Sequence, residues 1–215
     1  MDAPGIRNEL CEMARRLAAV SYYVVLPNLY YRAGRDTKYG PDVLEKDSAE
    51  HARMGAVRTT MTIPPVMADF EDMLAYVDAD NAAKPAPVGT HGYCMSGPYS
   101  LAAAHFPERV VAAASFYGTW LVSDAEEGPH LTLGQAKGGL YISCAEHDDL
   151  APTEMVSELK ALFDASGAAG ELEIYPGVHH GFAFPKLWCY AKPAAELHWA
   201  RLLGLFRRTH GEFNP

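Results

Sequence analysis

The chain has 215 residues, 49% of them hydrophobic and 21% charged, a balance that suits a packed core and that disordered segments lack. Lys and Arg number 18 against 27 Asp and Glu, a net charge of −9, so the surface repels phosphate backbones and anionic membranes. No apolar run nears the ~18 residues that span a bilayer, and Met1 leads into Asp2-Ala3-Pro4-Gly5 without a signal core. Cys11, Cys94, Cys144 and Cys189 show no CxxC or metal-type spacing. The expectation is one soluble, cytoplasmic domain over 1–215 with free thiols. It takes a small-molecule partner, binds no nucleic acid or membrane, and needs no cofactor or metal. The oligomeric state leaves no mark in the sequence.

In chain order, Ile6, Leu10, Met13 and Leu17 predict an amphipathic helix over about 5–19. Tyr22-Tyr23-Val24-Val25-Leu26 reads as a buried strand stopped by Pro27. Residues 33–62 read as a long loop carrying a short helix near 48–57. Val66, Phe70, Met73, Leu74 and Val77 mark the next helix, and Lys84-Pro85-Ala86-Pro87 closes that connection. The second half is more regular. Strands are predicted at Val88–Tyr93, Val110–Phe116, Leu140–Cys144 and Leu172–Tyr175. Helices are predicted over Gly97–Phe106, Thr153–Ser166 and roughly 193–210, with 118–138 a variable loop. Strands alternating with helices imply an α/β fold, a mostly parallel sheet covered on both faces.

The sharpest local signal is Gly92-Tyr93-Cys94-Met95-Ser96-Gly97, set between a strand and a small-residue helix. A tight strand-to-helix turn strains its central residue and aims that side chain out of the sheet. Gly92, Ser96 and Gly97 are small enough for the helix to approach the strand. The helix N-terminus favours a thiolate or an oxyanion, and the Met95 N–H offers one oxyanion donor. The competing reading is a buried core cysteine, the usual fate of free thiols. A nucleophilic thiol also needs a base, and the base an orienting acid. Glu146-His147-Asp148-Asp149 and His179-His180-Gly181-Phe182 each follow a predicted strand, where α/β sheets place their sites. The order nucleophile, acid, histidine is that of α/β-hydrolases.

Gly92–Gly97, His147-Asp148 with Pro152 four residues on, His180-Gly181-Phe182, and Leu26-Pro27-Asn28-Leu29-Tyr30-Tyr31-Arg32 together resemble the dienelactone hydrolase family, from residue 2 to about 208. The resemblance implies an α/β-hydrolase fold, with Cys94 as nucleophile, His180 as base and Asp148 as its acid. Asp149 and His179 rank second for the last two roles. It also implies that the Ala3 N–H completes the oxyanion hole with Met95, that Asp2 lies near the thiol, and that Arg32 holds a substrate carboxylate. The family commonly has the longer Glu at the Asp2 position, and often Gly where Ser96 stands. The implied activity is cysteine-dependent hydrolysis of a lactone or activated ester through an acyl-enzyme. The turn at residues 2–5 resembles the one after the family's third strand. The first strands are therefore expected to be absent from this chain, with a natural start about 30 residues earlier.

Three other readings compete. One is an inactive binding protein on the same fold, which would not need Cys94, Asp148 and His180 together. Another is a metal site built from Glu146, His147, Asp148, His179 and His180, although no HExxH spacing occurs. The last is a redox thiol, for which no resolving cysteine stands near Cys94 in sequence.

Overall fold

A computed structural model describes residues 1–35 and 37–210. It shows two compact units, Met1–Lys84 and Pro85–Pro215.

The first unit is helical. α1 spans Asn8–Ala18 and buries Leu10, Met13 and Leu17; it begins three residues later than expected because Pro4 and Gly5 form a turn, with Gly5 N–H on Asp2 O at 3.1 Å. α2 spans Ala49–Arg58, capped by Ser48, whose hydroxyl accepts His51 N–H at 2.9 Å. α3 runs Ile63–Ala79 with Pro64 and Pro65 in its first turn, where a missing N–H costs nothing.

The strand expected at 22–26 is corrected. Those residues join no ladder among the described residues. They keep an alternating pattern, with Tyr23 42% and Val25 39% exposed, and Tyr23 OH donates to Asp80 at 2.6 Å. The residues are suited to a strand, but a strand requires a neighbour to bond.

The second unit holds a four-stranded sheet, β1 Val88–Tyr93, β2 Val110–Phe116, β3 Gly139–His147 and β4 Gly170–His179. The order is β1-β2-β3-β4 and every pairing is parallel. Helices α4 Gly97–Ala102, α5 Thr153–Ser166 and α6 Lys192–His210 complete it. α4 is shorter than predicted because residues 103–105 tighten into a 3₁₀ turn. The 118–138 connection carries two short 3₁₀ turns, 129–131 and 133–135.

The inner strands β2 and β3 are buried on both faces, as inner strands of a parallel sheet are. On one face Leu140, Ile142 and Cys144 of β3 pack with Leu101 of α4 and with Val156, Leu159 and Phe163 of α5. There the Cys144 thiol is pushed up to about 12 by burial and then by the nearby Asp148 charge. On the other face Phe116 meets Tyr93, Tyr141 and the fully buried His198 of α6. β4 runs on past Tyr175, where the predicted strand ended, through Pro176 and Gly177 to His179. It lies at the sheet edge, where a proline's missing donor is tolerated.

Candidate active site

β1 delivers the turn that carries Cys94. Cys94 has φ 53°, a left-handed backbone that a non-glycine residue adopts only under constraint. The constraint comes from its neighbours. A side chain at Gly92 would begin 2.1 Å from Ser96 O, and one at Gly97 would begin 2.4 Å from Ser115 Oγ and 2.6 Å from Gly118 Cα. Ser96 closes the turn, its hydroxyl accepting Tyr93 N–H at 3.0 Å and donating to Tyr93 O at 3.2 Å. This hydroxyl has a use that a glycine could not supply. Thr119 N–H holds the Cys94 carbonyl at 3.2 Å. Met95, next along, is buried at the start of the helical turn.

β3 and β4 deliver the other two groups. Asp148 follows β3, and its carboxylate is fully buried. Oδ1 accepts Leu150 N–H at 2.9 Å and Oδ2 lies 2.7 Å from His180 Nδ1. His180 follows β4, with its N–H on His147 O at 3.3 Å. With Nδ1 engaged, Nε2 is buried and carries no hydrogen bond. Burial alone pushes the imidazole pKa down. The Asp148 carboxylate and then the Cys94 sulfur outweigh it and raise His180 to about 10. The Tyr117 ring sits 5.1 Å from the imidazole. Tyr117 itself has φ 39°.

This shift has a pH signature. The folded chain holds the His180 proton to about pH 10, against about 6.5 when unfolded. The pair's contribution to stability is complete below pH ~6.5 and is lost as pH rises toward ~10. The melting-temperature gap between wild type and Asp148→Asn is expected to narrow steadily from pH 6 to pH 10. A gap independent of pH in that window would mean a neutral imidazole in the folded state.

Of the second-ranked residues, Asp149 is exposed, with no bond to His180. His179 is exposed and stacks between His147 and Trp188, with ring centroids 5.0 Å apart on each side. Glu146 is spent on Gly177 N–H at 2.6 Å. Among the described residues no three His, Cys, Asp or Glu side chains gather as metal ligands. No helix among them is long and apolar enough to cross a membrane.

In the first unit, Asp2 is 4% exposed, and both its oxygens are taken by Arg7, through Nη1 on Oδ1 and through Nη2 at 2.6 Å on Oδ2. Ala3 is buried and its carbonyl accepts Tyr30 OH at 2.8 Å. Arg32 forms a two-pronged pair with Asp69 of α3 at 2.6 and 2.7 Å, and Tyr31 OH joins at 2.8 Å. The Arg32 pair, foremost, holds the Asp69 carboxyl below its usual range. Sequence reasoning missed Asp69 and Arg7. Asp69 did leave a signal, as a carboxylate on the apolar stripe of α3, three residues after Val66 and four before Met73.

The family model described as the dienelactone hydrolase family matches residues 1–210. A protein of Synechocystis sp. named as a presumed carboxymethylenebutenolidase is 26% identical, over 94% of this chain and 81% of that protein. One of the same name from Escherichia coli K12 is 25% identical, over 97% and 74%. Among solved structures, a presumed dienelactone hydrolase from Klebsiella pneumoniae superposes with TM-score 0.75 at 20% identity, over 96% of this chain and 84% of that one. A dienelactone hydrolase-like promiscuous phosphotriesterase from metagenomic libraries gives 0.73 at 18%, over 98% and 84%. The two structures share the α/β-hydrolase fold.

Proposed function

Because the chain belongs to the dienelactone hydrolase family, we propose that this hydrolase cleaves a lactone or activated ester through Cys94, His180 and Asp148. The observation that carries the reading is the buried Asp148–His180 pair, whose uncommitted Nε2 is coupled to a thiol on a strained turn. Asp148 fixes the imidazole with Nε2 toward the thiol. His180 takes the Cys94 proton, so sulfur is the attacking atom. It adds to the carbonyl carbon, and the oxyanion takes the Met95 N–H. As the intermediate collapses, the C–O bond breaks and His180 returns its proton to the leaving alcohol or enolate. Water, deprotonated by His180, then cleaves the thioester, releasing the acid and restoring the thiol. A thiol acyl-enzyme favours good leaving groups over amides, so enol-lactones and activated esters suit it better than peptides.

The family match crosses both compact units, which supports reading 1–215 as one hydrolase domain. On the resemblance, Ala3 supplies the second oxyanion N–H, and Asp2 and Arg32 serve the substrate. Arg32 reaches that role already paired. Asp69→Asn is expected to release its guanidinium and raise kcat/KM for a carboxylate-bearing lactone about tenfold relative to a neutral aryl ester, as one charge-assisted hydrogen bond allows. An unchanged ratio would remove Arg32 from substrate recognition. The mechanism is tested by quenching turnover of p-nitrophenyl acetate in acid and mapping the acetyl group by mass spectrometry. Acetyl on the Cys94 peptide supports it, and acetyl elsewhere or nowhere overturns the acyl-enzyme.

A further inference from the structure

An imidazole is only as well placed as the backbone that carries it, and His180 stands just where regular structure stops. β4 ends at His179, on the edge of the sheet. The N–H of His180 is tied to His147, the residue before Asp148, which sets the imidazole against its carboxylate. The His180 carbonyl lies past the last β3–β4 pair, His147 with His179. Gly181, at φ 92°, turns the chain away.

The chain comes back nine residues later. Cys189 Sγ lies 2.9 Å from His180 O, donating its S–H. It also sits 3.2 Å from the point where a side chain on Gly181 would begin. The return path is fixed by four backbone bonds, Phe184 N–H to Gly181 O at 3.1 Å, Leu187 N–H to Phe184 O at 3.0 Å, Tyr190 N–H to Leu187 O at 3.1 Å and Ala191 N–H to Phe182 O at 3.1 Å. Phe182 and Phe184 are buried and anchor the loop, which then enters α6 at Lys192. Only the thiol of this loop reaches back to the histidine among the described contacts.

We propose that Cys189 is a positioning residue, its thiol hydrogen bond to the His180 carbonyl holding the imidazole in line with Asp148 and Cys94. The proposal rests on the reading of His180 as the base. Cys189 is 8% exposed, and burial pushes its thiol up, so the group stays an S–H donor in the range where the enzyme works. A thiol is a weak donor, but its worth here is angular. A shift of the imidazole by ~1 Å can cost on the order of a hundredfold in rate, far more than the bond contributes to folding.

The test compares Cys189→Val, similar in size with no donor, with Cys189→Ser, which keeps an O–H. Cys189→Ala replaces the valine variant should that one not fold. Two quantities are read in the full chain: kcat and KM on p-nitrophenyl acetate, and the His180 titration by NMR of histidine-labelled protein. Valine is expected to lower kcat about tenfold with KM within about twofold, and to move the His180 titration down from about 10. Serine is expected to restore both within about threefold, in keeping with a retained donor. Overturning results are kcat and titration unchanged by valine, or equal losses in valine and serine, which would mean packing alone. If the wild type shows no Cys94-dependent turnover, the hydrolase reading fails while the titration still decides the Cys189 contact.

Discussion

Cys94→Ala is expected to lower kcat/KM on an enol-lactone and on p-nitrophenyl acetate by at least ~10³-fold, the scale on which a covalent nucleophile's loss is felt. The thiol is the attacking atom in the proposed mechanism, and nothing else on the turn can replace it. Met95 is buried, and Ser96 Oγ is engaged at both ends by Tyr93. Removing one sulfur from a residue only 9% exposed leaves the turn's backbone bonds in place. The melting temperature is therefore expected to stay within a few degrees. Alanine also relieves no strain, because φ 53° burdens any residue with a Cβ. Turnover that persists in Cys94→Ala would sink the assignment of the nucleophile. Turnover absent from the wild type on both substrates would sink the choice of substrate class.

Gly92→Ala is expected to fail at the level of the fold. Its new methyl would sit 2.1 Å from Ser96 O and 2.5 Å from Ser96 C. Both are backbone atoms of the Cys94 turn, so no rotamer change clears the overlap. The strand must part from the turn, in a sheet whose other face is packed by α6 residues such as His198. A cost of at least ~3 kcal/mol follows, in the class of severe backbone and overpacking effects. The measurement is thermal or urea unfolding beside Gly55→Ala as control. Gly55 lies inside α2 with nothing within 4 Å of an added Cβ, so alanine there is expected to gain up to ~1 kcal/mol. A Gly92→Ala protein as stable as the wild type would show that the turn can open without loss.

The second unit was legible because its elements carry their own reasons. The strands β2 and β3 are short, largely apolar runs buried on both faces. α5 shows Val156, Leu159 and Phe163 at helical spacing, all buried. The turn at Cys94 was legible in part for the same cause, since Gly92 is demanded by a contact with Ser96 four residues on, whereas Gly97 answers to Ser115 and Gly118. Tyr22–Leu26 misled because β-branched and aromatic residues report suitability for a sheet and cannot report whether a partner strand is there. The predicted β4 ended at Tyr175, and the Pro176 that follows speaks of a missing donor without saying that the strand is an edge. The ion pairs were hidden for a different reason. Arg32 and Asp69 lie 37 residues apart, and no local period links them. Asp148 stands ahead of Asp149 on its spacing to Pro152, which is a family pattern and no local rule. His179 and His180 separate because neighbours along an extended segment point opposite ways.

Cys94, Tyr117 and Trp120 all hold positive φ without being glycine, at 53°, 39° and 52°, and Thr119 N–H binds the Cys94 carbonyl between them. Each such residue stores on the order of 1–3 kcal/mol, so this small region carries a large part of a typical domain's whole margin of 5–15 kcal/mol. Heat resistance and turnover thus draw on the same few backbone angles. A laboratory lineage selected for survival at high temperature, with no demand on catalysis, would gain by relaxing these positions first. One selected for both would have to find its stability far from β1 and β2, in helices such as α2.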